Sequence, residues 1–424
     1  MRVCLFEDRG VADLEPLTLT RPAFELLCGQ TSLAQHQVRH FLPDGVGCLV
    51  RPELVELCRQ QAGLAAVNDL DWLRAGPTVL VNGRWLPSRG VVPDLSRPGV
   101  GILGDEVVYA VVGPEQLTDC SVNTLEDCLA TWKATLPRHD AGGRLFRHLW
   151  ELVSANGEQI ARDWEAAGPR SQPAEPVFVI VGPRDQVRID PSARVDPFVV
   201  VDTTSGPVIV EREAVVLPFS RLEGPCCIGP RTQVQGAKVR GGTTLGPECR
   251  IGGEVEASIV QGFSNKYHDG FLGHAYVGEW VNLGAGTSNS DLRNDYGEVT
   301  VTVNGQPVPT GQTKVGCFLG DHTKAGLGTL LNTGTSAGVF CNLLPTGGLL
   351  PRYVPSFASC WNGTLADRAD LDGLFRTAAT VMARRGQTFT DAHHFLYRSL
   401  FEQTAAERGR AVREAELRRL RRSA

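Results

Sequence analysis

The sequence predicts an α/β domain joined to a β-solenoid and closed by a helical tail. Three observations carry this. Residues 1 to about 170 alternate short apolar runs with stretches of helical periodicity. From 177 to about 360, apolar residues recur every six positions. From 364 to 424 the spacing turns helical, and Leu371, Leu374, Phe375 and Ala378 share one face. At 424 residues the chain is too long for one ordinary compact domain, so two or three units are expected.

In the first zone, Arg2 to Phe6, Val46 to Val50, Thr78 to Val81 and Val107 to Val112 read as buried strands. Segments 22–41, 52–62, 123–136 and 144–166 read as helices. Strands alternating with helices argue for a largely parallel sheet. The run G-P-R-S-Q-P-A-E-P at 168–176 reads as a linker. The expected domain boundaries are therefore 1–170, 177–360 and 364–424.

In the second zone, Ile189, Val195 and Val201 are spaced by six. Val210, Val216, Leu222, Ile228 and Val234 keep that spacing, and Val239, Leu245 and Ile251 follow after one slip. Val277 and Leu283 continue it. Six fits neither a helix at 3.6 nor a lone strand at two. It fits a solenoid in which each hexad gives one short strand and one turn, so three hexads close a coil. Sandwich strands recur at roughly 8–12 residues, which disfavours that alternative. Residues 293–312 interrupt the repeat: Val299, Val301 and Val303 alternate before an Asn304-Gly305 turn signal, which predicts a hairpin.

Composition excludes several classes of function. Lys+Arg is 42 against Asp+Glu 47, a net charge of −5, which excludes a broad basic surface for nucleic acid. The last stretch, 407–424, is locally basic and reads as a solvated helix or a cap on the solenoid. No uninterrupted apolar run approaches the length of a membrane span, and the N-terminus carries acids by position 7. Twelve scattered cysteines without a C-x-x-C pair read as small buried hydrophobes in a reducing compartment. A cytoplasmic protein with no metal site is the expectation.

The segment S-N-K-Y-H-D-G-F-L-G-H-A-Y-V-G-E-W-V-N-L-G-A-G-T (264–287) concentrates chemistry. Lys266, His268, Asp269, His274, Glu279 and Asn282 cluster where a solenoid ordinarily carries small or apolar residues. His268, two residues before a glycine, is placed at a corner. An imidazole there could take a proton from an amine attacking a thioester; a stacking or capping histidine is the plainer alternative. Lys266 could hold a phosphate. The backbone amides around Gly284, Ala285 and Gly286 could meet a carbonyl oxygen or a pantetheine amide. Lys324, in D-H-T-K, is a candidate for a coenzyme A phosphate or belongs to a solvated face. His393-His394 is read as structural.

This segment resembles the acetyltransferase half of the bifunctional glucosamine-1-phosphate acetyltransferase / N-acetylglucosamine-1-phosphate uridylyltransferase family. Its members carry a His fourteen residues before the Asn of N-x-G-A-G-T. His268, Leu272, Gly273, Asn282, Gly284, Ala285, Gly286 and Thr287 fall in that register, and S-D-L-R-N-D (290–295) resembles the archaeal members' N-L-R-H-D. The resemblance implies a left-handed parallel β-helix of hexapeptide repeats, a homotrimer, acetyl-CoA between subunits and His268 as general base. Two positions depart from the family. Phe271 replaces its Tyr, and Glu256 stands near its sugar-phosphate Lys.

The first zone resembles sugar-1-phosphate nucleotidyltransferases through Pro16, Leu17, Thr18, Thr20, Arg21 and Pro22. The resemblance implies a nucleotidyltransferase-like head in which Arg21 contacts phosphate; an ion pair with Glu15 or Glu25 is the alternative. The family's glycine turn is reduced to Gly10, its Lys is Ala23, and its metal-holding Asp falls near Val81-Asn82-Gly83-Arg84, with Asp105 as a substitute. Mg²⁺ is expected only if this head is active. The combined expectation is acetyl transfer from acetyl-CoA to an amino-sugar phosphate or nucleotide amino sugar. The head is active or degenerate, and a non-catalytic nucleotide-sugar sensor is the rival.

Overall fold

The computed structural model describes residues 1–88, 95–168, 177–345 and 347–423, with the side chains from 418 onward outside that description. Beyond Gly168, the expected linker also lies outside the described residues.

The head is built on a seven-stranded sheet. From one edge to the other run Arg138–Asp140, Gly99–Leu103, Glu106–Val112, Thr78–Asn82, Arg2–Phe6, Gly45–Leu49 and Ala66–Val67. The last four strands are parallel, but Glu106–Val112 runs antiparallel to both neighbours, so the sheet is mixed. Among the described residues five helices accompany it: α1 (Leu33–Phe41), α2 (Val55–Arg59), α3 (Leu70–Arg74), α4 (Leu125–Thr135) and α5 (Leu149–Ala167). The helix expected over 22–41 starts only at Leu33 because Ser32 caps it, its hydroxyl accepting from Gln35 N. Residues before it form a single 3₁₀ turn and a short hairpin.

The body is a parallel β-helix of three faces. Val210 pairs with Ile228 and Val216 with Val234, offsets of eighteen that close one coil with three hexads. The hexad residues from Val201 to Leu283 point into one continuous apolar core. The first face runs from Val187–Ile189 to Tyr353–Val354, the second from Arg194–Val195 to Ala358–Trp361, and the third from Val179–Val181 to Leu330–Leu331. Corners take the left-handed region whatever residue stands there: Phe263, Trp280, His322, Phe340 and Phe357 all have φ between 51 and 60°. Bulky residues resist that conformation. Here their rings stack along one edge, with centroids 4.4 Å apart for Phe263–Trp280 and 4.6 Å for His322–Phe340, which offsets part of the strain.

The head lies on the first face. Helix α5 brings Ile160 against Ile209 and Cys227. The hairpin Thr300–Val303/Gln306–Pro309, turning at Asn304 and Gly305 as expected, packs Val299, Val301 and Val303 into the same contact. The tail forms α6 (Leu371–Ala383), α7 (Asp391–Gln403) and α8 (Ala405–Ser423). Tyr397 of α7 meets the aromatic edge, its hydroxyl 3.1 Å from His322 Nε2. Helix α8 covers the antiparallel pair that ends the β-helix, with Arg408 buried and bonded to Asp367 at 2.8 Å. At the edge between the second and third faces Phe198, Phe219 and Leu327 stand exposed. No helix among the described residues is long and apolar enough to cross a membrane.

Candidate functional site

The segment 264–287 makes two turns of this last edge. Asn265–Lys266 lies on the second face, residues 267–270 turn the corner, and Phe271–Gly273 begins the third face. One coil on, Asn282–Leu283 is followed by the corner Gly284–Gly286. The two corners are joined directly, with Gly286 N donating to Asp269 O at 2.9 Å. His268 is exposed on the first corner, its ring edge-on to Tyr267. The structure therefore brings His268, Asn282 and the glycine corner together. Asn282 is exposed and stands in register between Asn265 and Lys324.

The expectation for the glycine corner needs correction. Gly284 N donates to Ala325 O at 3.0 Å and Gly286 N to Asp269 O, so both amides are consumed by the coil. Ala285 O likewise accepts from Gly328 N at 2.7 Å. What this corner offers is a low floor. A Cβ at Gly284 would stand 2.7 Å from the Gly326 backbone, so only glycine permits this stacking of coils.

Lys266 also departs from expectation. It pairs with Ile251, whose side chain is in the core, and is itself only 4% exposed. Its ammonium donates to Gly252 O at 3.1 Å and to His268 O at 2.5 Å. Burial pulls its pKa down to about 8, with Asp269 opposing. It is a brace for the His268 corner rather than a surface phosphate ligand. Lys324 is half-buried, gives a hydrogen bond to Trp280 O, and is pulled down to about 8 by burial and then by Arg368.

Beyond the His268 corner the coil is widened. No backbone ladder joins Phe271–Gly273 to Ser288–Asn289. Instead Asn289 Oδ1 accepts from Gly273 N at 2.8 Å and its Nδ2 donates to Gly273 O at 2.9 Å. Ser288 Oγ accepts from Phe271 N at 3.1 Å. His274 turns the next corner with Nδ1 2.7 Å from Asp291 Oδ2. Burial raises the Asp291 carboxyl, but that bond and the nearby positive charges leave it below the ordinary value. Glu256 is held by Arg240 at 2.7 Å.

Arg21 does not face a phosphate site. It is 4% exposed and gives a bidentate pair to Asp321 of the β-helix, at 2.6 and 3.1 Å, with Glu279 at 3.3 Å. Neither alternative partner, Glu15 or Glu25, takes it in a hydrogen bond. Thr20 adds a bond to Asp321 at 2.9 Å. The surviving P-L-T-x-T-R-P run thus fastens head to body.

In α/β sheets ligands sit where the strand order reverses, here between Arg2–Phe6 and Thr78–Asn82. That crevice is filled. Asp8 receives Arg84 through Nε at 2.7 Å and Nη2 at 2.5 Å, and Asn82 Nδ2 at 2.7 Å. Glu7 receives Arg51 Nε at 3.1 Å and Ala23 N at 3.2 Å. A Cβ at Gly10 would lie 2.4 Å from Arg84 Cζ, so the one glycine left from the phosphate turn is covered by a guanidinium. Magnesium needs free carboxylate oxygens, and both oxygens of Asp8 are taken. Asp105 sits in the hairpin turn after Gly99–Leu103, fully exposed and paired with Lys133 at 3.3 Å. These residues do not fit a catalytic Mg²⁺, and no cluster of three metal-ligating side chains occurs among the described residues.

Sequence reasoning missed Asn265, Arg250 and Arg385. Asn265 and Arg250 lie one and two coils before Asn282 in the same outward row, a signal readable once the coil length is known. Arg385, two residues past the end of α6, reaches Asn265 Oδ1 at 3.0 Å. Nothing in the local sequence announces that contact.

Residues 3–170 match the family model for sugar nucleotidyl transferases. The chain is 33% identical over 114 residues to a bifunctional sugar-1-phosphate nucleotidylyltransferase/acetyltransferase of Sulfurisphaera tokodaii, covering 26% of this chain and 28% of that protein. It is 30% identical over 154 residues to the bifunctional protein GlmU of Heliobacterium modesticaldum, covering 36% of this chain and 31% of that protein. The matches thus span under a third of those relatives' own lengths. A solved UDP-N-acetylglucosamine acyltransferase of Francisella novicida aligns over 56% of this chain and 88% of its own, at 12% identity and a TM-score of 0.23, too low to bear on the fold.

Proposed function

We propose that this protein is an acyltransferase of nucleotide-sugar metabolism, moving the acetyl group of acetyl-CoA to the amine of an amino-sugar phosphate or nucleotide amino sugar. The observation that carries this is the exposed imidazole of His268, on a corner hydrogen-bonded to the Gly284–Gly286 corner of the next coil. The fourteen-residue spacing to Asn282 and the bifunctional relatives support it.

In this reading the amine nitrogen attacks the thioester carbonyl carbon, the C–S bond breaks, and the coenzyme leaves as its thiol. His268 takes the proton the amine loses and passes it to the leaving sulfur. Lys266 holds the corner through the His268 carbonyl, and Asn282 orients the acceptor. The glycine floor lets the pantetheine chain lie close to the backbone. Phe198, Phe219 and Leu327 stand 71, 78 and 71% exposed at the edge shared by the second and third faces. That apolar edge suits a homotrimer whose neighbour completes the groove. Free, mostly buried thiols suit a reducing cytoplasm.

The head, in this reading, is a structural relic of a nucleotidyltransferase, its crevice closed by Asp8–Arg84. Two assays test the pair of claims. His268→Ala should lower acetyl-CoA turnover with amino-sugar phosphates by about 10²–10⁴; turnover within a few-fold of wild type overturns the base assignment. Incubating the protein with each nucleoside triphosphate, Mg²⁺ and sugar-1-phosphates should release no pyrophosphate. Release with any pair would restore the head as an enzyme.

A further inference from the structure

Face two carries one outward row across successive coils: Arg250, Asn265, Asn282, Lys324 and Asn342, each paired in register with the next. Strand spacing of about 4.8 Å puts neighbouring members within the span of one diphosphate. The tail adds to this row. Arg385 binds Asn265, while Arg368 gives its Nη1 to Phe340 O at 2.9 Å beside Lys324.

Positive charge in this strip outweighs negative. The nearby carboxylates are Glu248 and Asp321, and both are already engaged. Glu248 takes Arg231, and Arg250 at 3.5 Å, while Asp321 takes Arg21 at 2.6 Å. The Arg385 Nε is buried and has no hydrogen-bond partner. The rest of the guanidinium is part-exposed and holds Asn265 through Nη2, which leaves its outer edge to meet a further acceptor on this face. Burial, then Arg250, lowers the Arg385 pKa.

We infer that Arg385, delivered by the tail, joins Lys324 and the Asn265 and Asn282 amides to bind the diphosphate of an incoming ligand. This rests on the acyltransferase reading for its purpose but not for its chemistry. Two ligands carry that group, the acyl donor and a nucleotide-sugar acceptor. Guanidinium and ammonium donors suit diphosphate oxygens, and the amides fix their orientation. The tail would then be part of the site as well as a cover for the aromatic edge.

Titration calorimetry of the full chain with inorganic diphosphate, coenzyme A and UDP-N-acetylglucosamine tests it. Wild type should bind diphosphate, and Arg385→Gln should weaken that binding about ten-fold or more, with Arg385→Lys recovering part of it. The unfolding midpoint of each variant confirms that it folds. Loss confined to coenzyme A would assign the strip to the donor, and loss confined to the nucleotide sugar would assign it to the acceptor. No diphosphate binding by wild type, or equal binding by Arg385→Gln, overturns the inference. His268→Ala should bind diphosphate normally, so a failure of the base assignment would leave this result standing. An active acetyltransferase indifferent to Arg385→Gln would remove the strip alone.

Discussion

Arg21 and Asp321, 300 positions apart, share two hydrogen bonds in a setting from which water is excluded. Asp321 also accepts from Thr20 Oγ1 and from Glu279 N, so its carboxylate holds both units. A buried pair contributes little over an apolar isostere, yet removing one partner strands the other charge. Asp321→Ala should therefore destabilise the protein by about 3–5 kcal/mol, read as a lower denaturant midpoint. Replacing both residues by apolar ones of similar size should recover most of the loss. If Asp321→Ala unfolds at the wild-type midpoint, the latch is not structural.

The difference between what was legible and what was not follows from the range of each signal. The coil was legible because its period is local: every hexad repeats the demand for one inward apolar residue. The position of Lys266 was legible in principle, since Val260, Lys266 and Leu272 are spaced by six and all three are buried. The period directs this side chain inward whatever its charge. The partner of Arg21 was not legible, because local sequence offers Glu15 and Glu25 and says nothing of residue 321. The head sheet is largely parallel as expected, with six of its seven strands running one way; the single reversal at Glu106–Val112 was not legible, because it depends on pairing, which short apolar runs do not specify.

The inward lysine predicts a pH dependence. Its folded pKa, about 8, lies below the ordinary 10.5, so between those values the unfolded chain binds more protons. Stability should rise with pH across that window, and the penalty should be complete below it. Lys324 acts in the same direction. Urea midpoints of wild type and Lys266→Met, measured from pH 7.5 to 10.5, should show a shallower rise in the variant. Parallel curves would mean that Lys266 is solvated.

Asn289 stands in for a strand at the widened coil, accepting from Gly273 N and donating to Gly273 O. Asn289→Ala leaves both backbone groups buried without a partner, at about 1–3 kcal/mol for each. Asn289→Asp keeps an acceptor but loses the donor, so it should rescue only in part. Hydrogen exchange at the Gly273 amide checks this directly, and should quicken far more in the alanine variant than in the aspartate. Equal protection in wild type and Asn289→Ala would show that this bridge does not hold the coil.

Alternation along the strand decides the fate of the adjacent thiols Cys226 and Cys227. Successive side chains point to opposite sides. Cys226 therefore enters the prism with Val208 and Val210, while Cys227 packs outward against Ile160 of α5. Burial raises both thiols well above the ordinary value and keeps them protonated. Across the chain, eleven of the twelve free cysteines are buried and only Cys128 is part-exposed. An aromatic disulfide reagent at pH 8 should titrate one thiol quickly in the native protein and all twelve after unfolding. Cys128→Ser should abolish the fast phase. A second fast thiol that disappears in Cys227→Ser would show that α5 lifts from the first face in solution, because Ile160 of that helix covers Cys227.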